Sequence, residues 1–169
     1  WGSQGFGTAP HLLAEMFRLQ AGINMLHVPY RGTGPLLNAI LAGEVNIIAD
    51  PSTTSLPYVQ AGKLRPIAIA GNDRDPKLPD VPTTVQAGFP NLISPFWLAV
   101  VAPAATPHDT INKLNDAFHQ ALAVPETRER LATLGAEIKT GSPQDLDKML
   151  SAERARWTPV VQEAHIKME

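Results

Sequence analysis

Residues 21–50 read AGINMLHVPYRGTGPLLNAILAGEVNIIAD, and their punctuation decides the fold class. Ala21-Gly22 and Ala42-Gly43 look like helix ends, because the residue after a helix often turns left-handed, where glycine is favoured. Strand-like text follows each glycine, at Ile23–Val28 and Glu44–Ala49. Between them Leu36, Leu37, Ile40 and Leu41 share one helical face. The unit is strand, short turn, helix, glycine, strand, which is the text of a parallel α/β layer.

Outward from this stretch the pattern recurs. Leu12, Leu13, Met16 and Phe17 form a helical face before Gly22. Ala61-Gly62 and Leu134-Gly135 look like two further helix ends, followed by strand-like Lys63–Ala70 and Ala136–Thr140. The expected architecture is α/β with a mainly parallel sheet built on Ile23–Val28, Val45–Ala49 and Arg65–Ala70, flanked by helices. Residues 72–95 are rich in proline and aspartate and lack periodicity, so they read as a loop. Phe96–Ala102 is a compact apolar run that reads as a buried strand. Three helices then surround Ala136–Thr140. One helix face carries Ile111, Leu114, Phe118, Ala121 and Leu122; another carries Leu146, Met149, Leu150, Trp157, Val160 and Val161. Thr106-Pro107-His108-Asp109 and Ser142-Pro143-Gln144-Asp145 read as helix starts with a hydroxyl cap and a returning carboxylate. Thr8-Ala9-Pro10 and Thr33-Gly34-Pro35 share a threonine-x-proline start.

Composition bounds the function. Lys+Arg of 14 against Asp+Glu of 16 gives a net charge of −2, so no basic excess recommends a nucleic acid or an anionic membrane. With no cysteine the chain holds no disulfide, thiolate metal site or cysteine nucleophile. No apolar run approaches the ~20 residues of a membrane span. His11 and Glu15 lie four apart on a helix, but two ligands without a third make a poor metal site. Nucleotide fingerprints are lacking, since Gly2, Gly5 and Gly7 are wrongly spaced and no Lys-Ser/Thr follows. No Gly-x-Ser-x-Gly elbow is present. His27 lies near a strand end, and a satisfied core histidine competes there with a cleft residue.

In a parallel sheet the strand-to-helix connections lie at the carboxyl edge, where ligands bind. Three such connections are Ser3–Thr8, Pro29–Thr33 and Asp50–Thr54. Each leads into a helix start, whose unpaired N–H groups and dipole favour an anion. The residues therefore point to a small anionic ligand held partly by main-chain amides. Ordinary turns and caps are the alternative.

The string Gly5-Phe6-Gly7-Thr8-Ala9-Pro10-His11-Leu12, followed by His27-Val28-Pro29-Tyr30-Arg31-Gly32, resembles the Bug/TctC-type extracytoplasmic solute receptors of tripartite tricarboxylate transporters. The resemblance continues through Leu41-Ala42-Gly43-Glu44-Val45, Ala61-Gly62-Lys63-Leu64-Arg65, Leu78-Pro79-Asp80-Val81-Pro82-Thr83-Thr84, Ala87-Gly88, Phe96-Trp97 and Ala102-Pro103. Gln86 departs from it, standing where the family usually has glutamate.

The resemblance implies a type II periplasmic-binding-protein-like fold of two lobes, of which this chain is a truncated portion. Residues 1–95 would be the second lobe, and residues 96–169 an incomplete return to the first. It implies a non-catalytic periplasmic receptor without cofactor or metal, capturing a small carboxylate for membrane permease subunits. A signal sequence would lie upstream. Gly7, Thr8 and Ala9 would face the cleft most directly, with Tyr30 and Asp50 at the other two cleft-edge loops. The truncated chain would leave apolar helix faces uncovered and self-associate. Two other readings remain: the effector-sensing domain of a transcription regulator, and an α/β enzyme with a phosphate-bearing cofactor. A helix-turn-helix upstream would mark the first, and a co-purifying nucleotide or flavin the second.

Overall fold

The computed structural model describes residues 1–95, 97–133 and 137–166. The element order is β1 (Gly2–Ser3), α1 (Ala9–Ala21), β2 (Val28–Pro29), α2 (Thr33–Ala42), α3 (Ser52–Gln60), α4 (His108–Ala123), α5 (Pro125–Thr133) and α6 (Pro143–Glu163). Two compact units result, one of residues 1–97 with 157–169, the other of residues 98–156.

In the first unit the sheet is parallel, as expected, but its centre is β1, where the sequence offers almost no strand text. Gly2 and Ser3 pair with Val28 and Pro29 of β2. On its other edge Gly2 bridges Ile48, its N–H donating to Ile47 O at 3.0 Å. The expected strands are accordingly cut short, because a ladder cannot outrun the strand it pairs with. Of Ile23–Val28 only Val28 pairs, and Leu26 is 82% exposed. Of Val45–Ala49 only Ile48 does, and of Arg65–Ala70 only Ile69, which bridges Thr83 instead of joining the other two.

Two of the expected helix ends are where their glycines place them. Gly22 and Gly43 have φ of 63° and 77°, left-handed, and close α1 and α2 through N–H bonds to the last turn. Gly2 serves a different end. A Cβ there would meet Leu36 Cδ1 at 2.5 Å and Val45 Cγ2 at 3.2 Å, so the missing side chain lets α2 lie against β1. Leu36 is fully buried and Val45 nearly so. Burying a leucine this completely contributes about 1.5–3 kcal/mol. A second cluster joins Met16 of α1, Leu92 and Val160, with Leu13, Phe17, Leu19, Phe89 and Trp157 packed round it.

The segment 72–95 has no helix or ladder of its own, yet its turns are tied. Gln86 Oε1 accepts from Arg74 Nε and from Thr83 N, while Thr83 Oγ1 accepts from Gln86 N. Thr84 Oγ1 donates to Leu92 O at 2.6 Å, seating Leu92 in the core. The glutamine that departs from the family pattern thus completes a capping-box turn.

The second unit holds α4, α5 and α6 as far as Arg156. Ser142 and Asp145 form the expected box: Asp145 N donates to Ser142 Oγ, and Ser142 N and Oγ both donate to Asp145 Oδ2. Those bonds hold the Asp145 carboxyl below its ordinary range. Thr106, in contrast, caps nothing. Pro107 is the N-cap of α4, and its carbonyl accepts from Thr110 N and Ile111 N. The expected buried strand Phe96–Ala102 is also corrected: residues 97–102 are unpaired, with Leu98 and Val101 86% and 76% exposed, while Phe96 lies outside the described residues. An apolar run specifies burial only if another surface reaches it. Residues 137–140 form no strand, and Leu134, Gly135 and Ala136 lie outside the described residues. No described helix is long and apolar enough to cross a membrane.

Candidate functional site

The candidate site lies at the carboxyl edge of the small sheet, in the first unit. Three connections meet there: residues 4–8 after β1, 30–32 after β2, and 49–51 after the Ile48 bridge. They lead into α1, α2 and α3.

The first connection is fixed from within. Ser3 Oγ contacts Gly5 O and N at 3.2 Å and His27 Nε2 at 2.7 Å. Gly7 N–H donates to His11 Nδ1 at 3.0 Å, so this amide is committed to the protein. The Thr8 hydroxyl donates to Gly5 O at 2.9 Å rather than capping α1. Thr8 carbonyl accepts the first helical bond, from Leu12 N. The amides of Thr8 and Ala9 have no hydrogen-bond partner among the described residues. Two donors at a helix start, beside the positive dipole end, can hold a carboxylate oxygen.

Beneath this turn lies an aromatic stack. The rings of His11 and His27 are 4.2 Å apart and nearly parallel, and Trp1 covers His27 at 4.2 Å. Phe6 sets its edge against both imidazoles. Burial, then the neighbouring His11, then the terminal amine lower the His27 pKa to about 4. Burial likewise lowers His11, with Glu15 opposing. Both imidazoles are therefore neutral near pH 7. Glu15 is buried and paired with Arg18 at 2.7 Å, three residues on. The histidines and Glu15 border a shallow cleft of about 260 Å³ together with Phe6 and residues 164–166. Among the described residues no group of three metal-ligating side chains converges.

Tyr30 N donates to Ser3 O at 2.9 Å, while its hydroxyl reaches Glu44 Oε2 at 3.4 Å. Desolvation, then Glu44, raises the Tyr30 pKa. Asp50 Oδ1 accepts from Gln4 Nε2 at 2.8 Å, and its Oδ2 accepts from the Thr54 hydroxyl. Burial raises the Asp50 carboxyl above its ordinary range, against the hydrogen bonds that lower it. The structure thus gathers Gly7, Thr8, Ala9, Tyr30 and Asp50 along one edge. Gln4 and His11 join them as residues that sequence reasoning did not assign to the site. Only the position of Gln4, directly after the central strand, signals its part.

Residues 1–166 match the TctC family, described as the tripartite tricarboxylate transporter family receptor. The chain belongs to the TctC family. Its family and fold are those of solute-binding receptors. A similar protein is the UPF0065 protein in the tcbD-tcbE intergenic region of Pseudomonas sp. (strain P51), 34% identical over 95% of this chain and 48% of that protein. Among solved structures, R. palustris Rpa4515 with adipate is 34% identical at a TM-score of 0.86, over 98% of this chain and 56% of the other. MatC (Rpa3494) from Rhodopseudomonas palustris with bound malate is 33% identical at 0.84, over 95% and 55%. The TctC chain described here spans about half the length of most of these relatives.

Proposed function

We propose that the protein is, as a whole, a periplasmic receptor that captures a small carboxylate and delivers it to the membrane permease subunits of a tripartite tricarboxylate-type transporter. The reading is carried by the unpartnered amides of Thr8 and Ala9 at the start of α1, on the cleft edge of a TctC chain. Adipate and malate, the ligands of two similar structures, are both dicarboxylates, and that is the ligand class proposed here. The periplasmic location rests on the resemblance to extracytoplasmic receptors.

In this reading residues 1–95 are the second lobe, and residues 96–169 return to the first. Gly7, Thr8, Ala9, Tyr30 and Asp50 stand on the three loops at the second lobe's side of the cleft. Thr8 and Ala9 supply amide donors. Gly7 shapes the turn, its own amide being bound to His11. Main-chain capture suits a receptor that must release its cargo, since the neutral histidines add no fixed positive charge to deepen binding.

Titration calorimetry of the full-length receptor against a panel of mono-, di- and tricarboxylates, with adipate, malate and citrate among them, tests the reading. Saturable one-to-one binding of at least one acid supports it. Failure to bind any mono-, di- or tricarboxylate overturns it.

A further inference from the structure

Three loops ending at three helix starts must hold a fixed spacing if amides from one of them are to meet a ligand. The sheet beneath cannot enforce this, since β1 and β2 are two residues long and the third member is the Ile48 bridge. One residue spans all three loops. Gln4 carries its main chain in the first, accepts from Gly32 N in the second at 3.2 Å, and donates through Nε2 to Asp50 in the third at 2.8 Å. Asp50 is held in turn by the Thr54 hydroxyl of α3. Both carboxylate oxygens of Asp50 are thereby engaged within the protein.

We propose that Gln4 is a positioning residue for the ligand site, with Asp50 as its anchor, and that Asp50 acts through Gln4 rather than by touching the ligand. This rests on the receptor reading above and assigns Asp50 its part within it. The arrangement also explains how an acidic side chain can stand beside an anion site. Its lone pairs face donors from Gln4 and Thr54, so its charge is spent locally.

The test uses the full-length receptor and four variants: Gln4→Ala, Asp50→Ala, Asp50→Asn and the double alanine. Amide hydrogen exchange without ligand reads the bracket itself. Peptides spanning 3–8 and 49–55 exchange faster in Gln4→Ala and Asp50→Ala, since both remove the side-chain bond between those loops. Asp50→Asn restores protection, because its amide can accept from Gln4 and donate to Thr54. Calorimetry with adipate and malate reads the consequence. Each alanine variant binds about tenfold more weakly, the scale of one lost charge-assisted hydrogen bond. The double variant is no weaker than Asp50→Ala alone, as coupled residues require. Asp50→Asn binds as the parent does. Unchanged exchange in Gln4→Ala overturns the bracket. Faster exchange with unchanged affinity overturns its positioning role. Loss of binding in Asp50→Asn with normal exchange makes Asp50 a direct ligand contact. If the parent binds no mono-, di- or tricarboxylate the receptor reading falls, while exchange still decides the bracket.

Discussion

In α1 the apolar face of Leu13, Met16 and Phe17 packs against Leu92 and Val160, whereas in α4 Leu114 and Phe118 remain 45% and 43% exposed. Both helices carry apolar residues at three- and four-residue spacing. The first unit supplies a facing surface, drawn from the segment 72–95 and the end of α6. In the second unit no residue of α4 or α5 is buried. Amphipathic spacing therefore specifies a helix and the face it will bury, and leaves open what that face is buried against.

The sharpest way to break this contrast is to delete matched side chains. Leu36→Ala, which empties a fully buried site above Gly2, should cost about 2–5 kcal/mol in urea unfolding of the first unit. A cost below about 1 kcal/mol would mean that α2 is not packed on β1 as described.

Acidity should act on the same unit. The folded pKa of His27 is lowered to about 4 against an ordinary 6.5, so the unfolded chain binds the extra proton first. Stability of the first unit should therefore fall as pH drops from about 6.5 to about 4, then level for this group. In the 169-residue chain His27→Gln should flatten that slope, with His11, Glu15 and the Trp1 amine of that chain still present round the site. A slope unaltered by the substitution would place the proton uptake elsewhere.

In the second unit the expected effects are smaller. Ser142→Ala removes the box at the start of α6 and should cost about 1 kcal/mol of local helix stability, read by helical circular dichroism on heating. Acidification through the lowered Asp145 pKa should have the same sense, since a depressed carboxyl stabilises only while ionised. Smallest of all, Phe118→Ala in the 169-residue chain should change stability by no more than about 0.5 kcal/mol. The same change in the full-length receptor should cost several times more if a further part of the protein covers α4. Light scattering gives an independent reading: the 169-residue chain should self-associate through Leu98, Val101, Leu114 and Phe118. A strictly monomeric chain would show that these exposed side chains do not suffice.

Local chemistry was the legible part of the sequence. Gly22 and Gly43 end their helices, and Ser142 with Asp145 starts one, because each signal needs only its own neighbours. Strand text misled, since a strand exists only where a partner pairs with it. Leu26 and Leu98 look like interior strand residues and are exposed, while Gly2 and Ser3, which carry almost no strand text, form the centre of the sheet. At the candidate site, the amides of Thr8 and Ala9, unpartnered among the described residues, follow from a helix start. The Gly7–His11 and Gln4–Asp50 bonds could not be read, because each depends on a rotamer or on a contact across 46 residues.

Thr83, Thr84 and Gln86 have a consequence for how the chain withstands proteases. The stretches 72–95 and 97–107 both lack regular structure, and a linear map would rate them equally vulnerable. Cleavage requires several residues to peel away into an enzyme's groove. Peeling 83–92 would pull Leu92 from the core and break the Thr84–Leu92 bond, whereas 98–101 already stands clear. Limited digestion should nick the second stretch first, and its fragments would report where the chain lacks company rather than where it lacks helix.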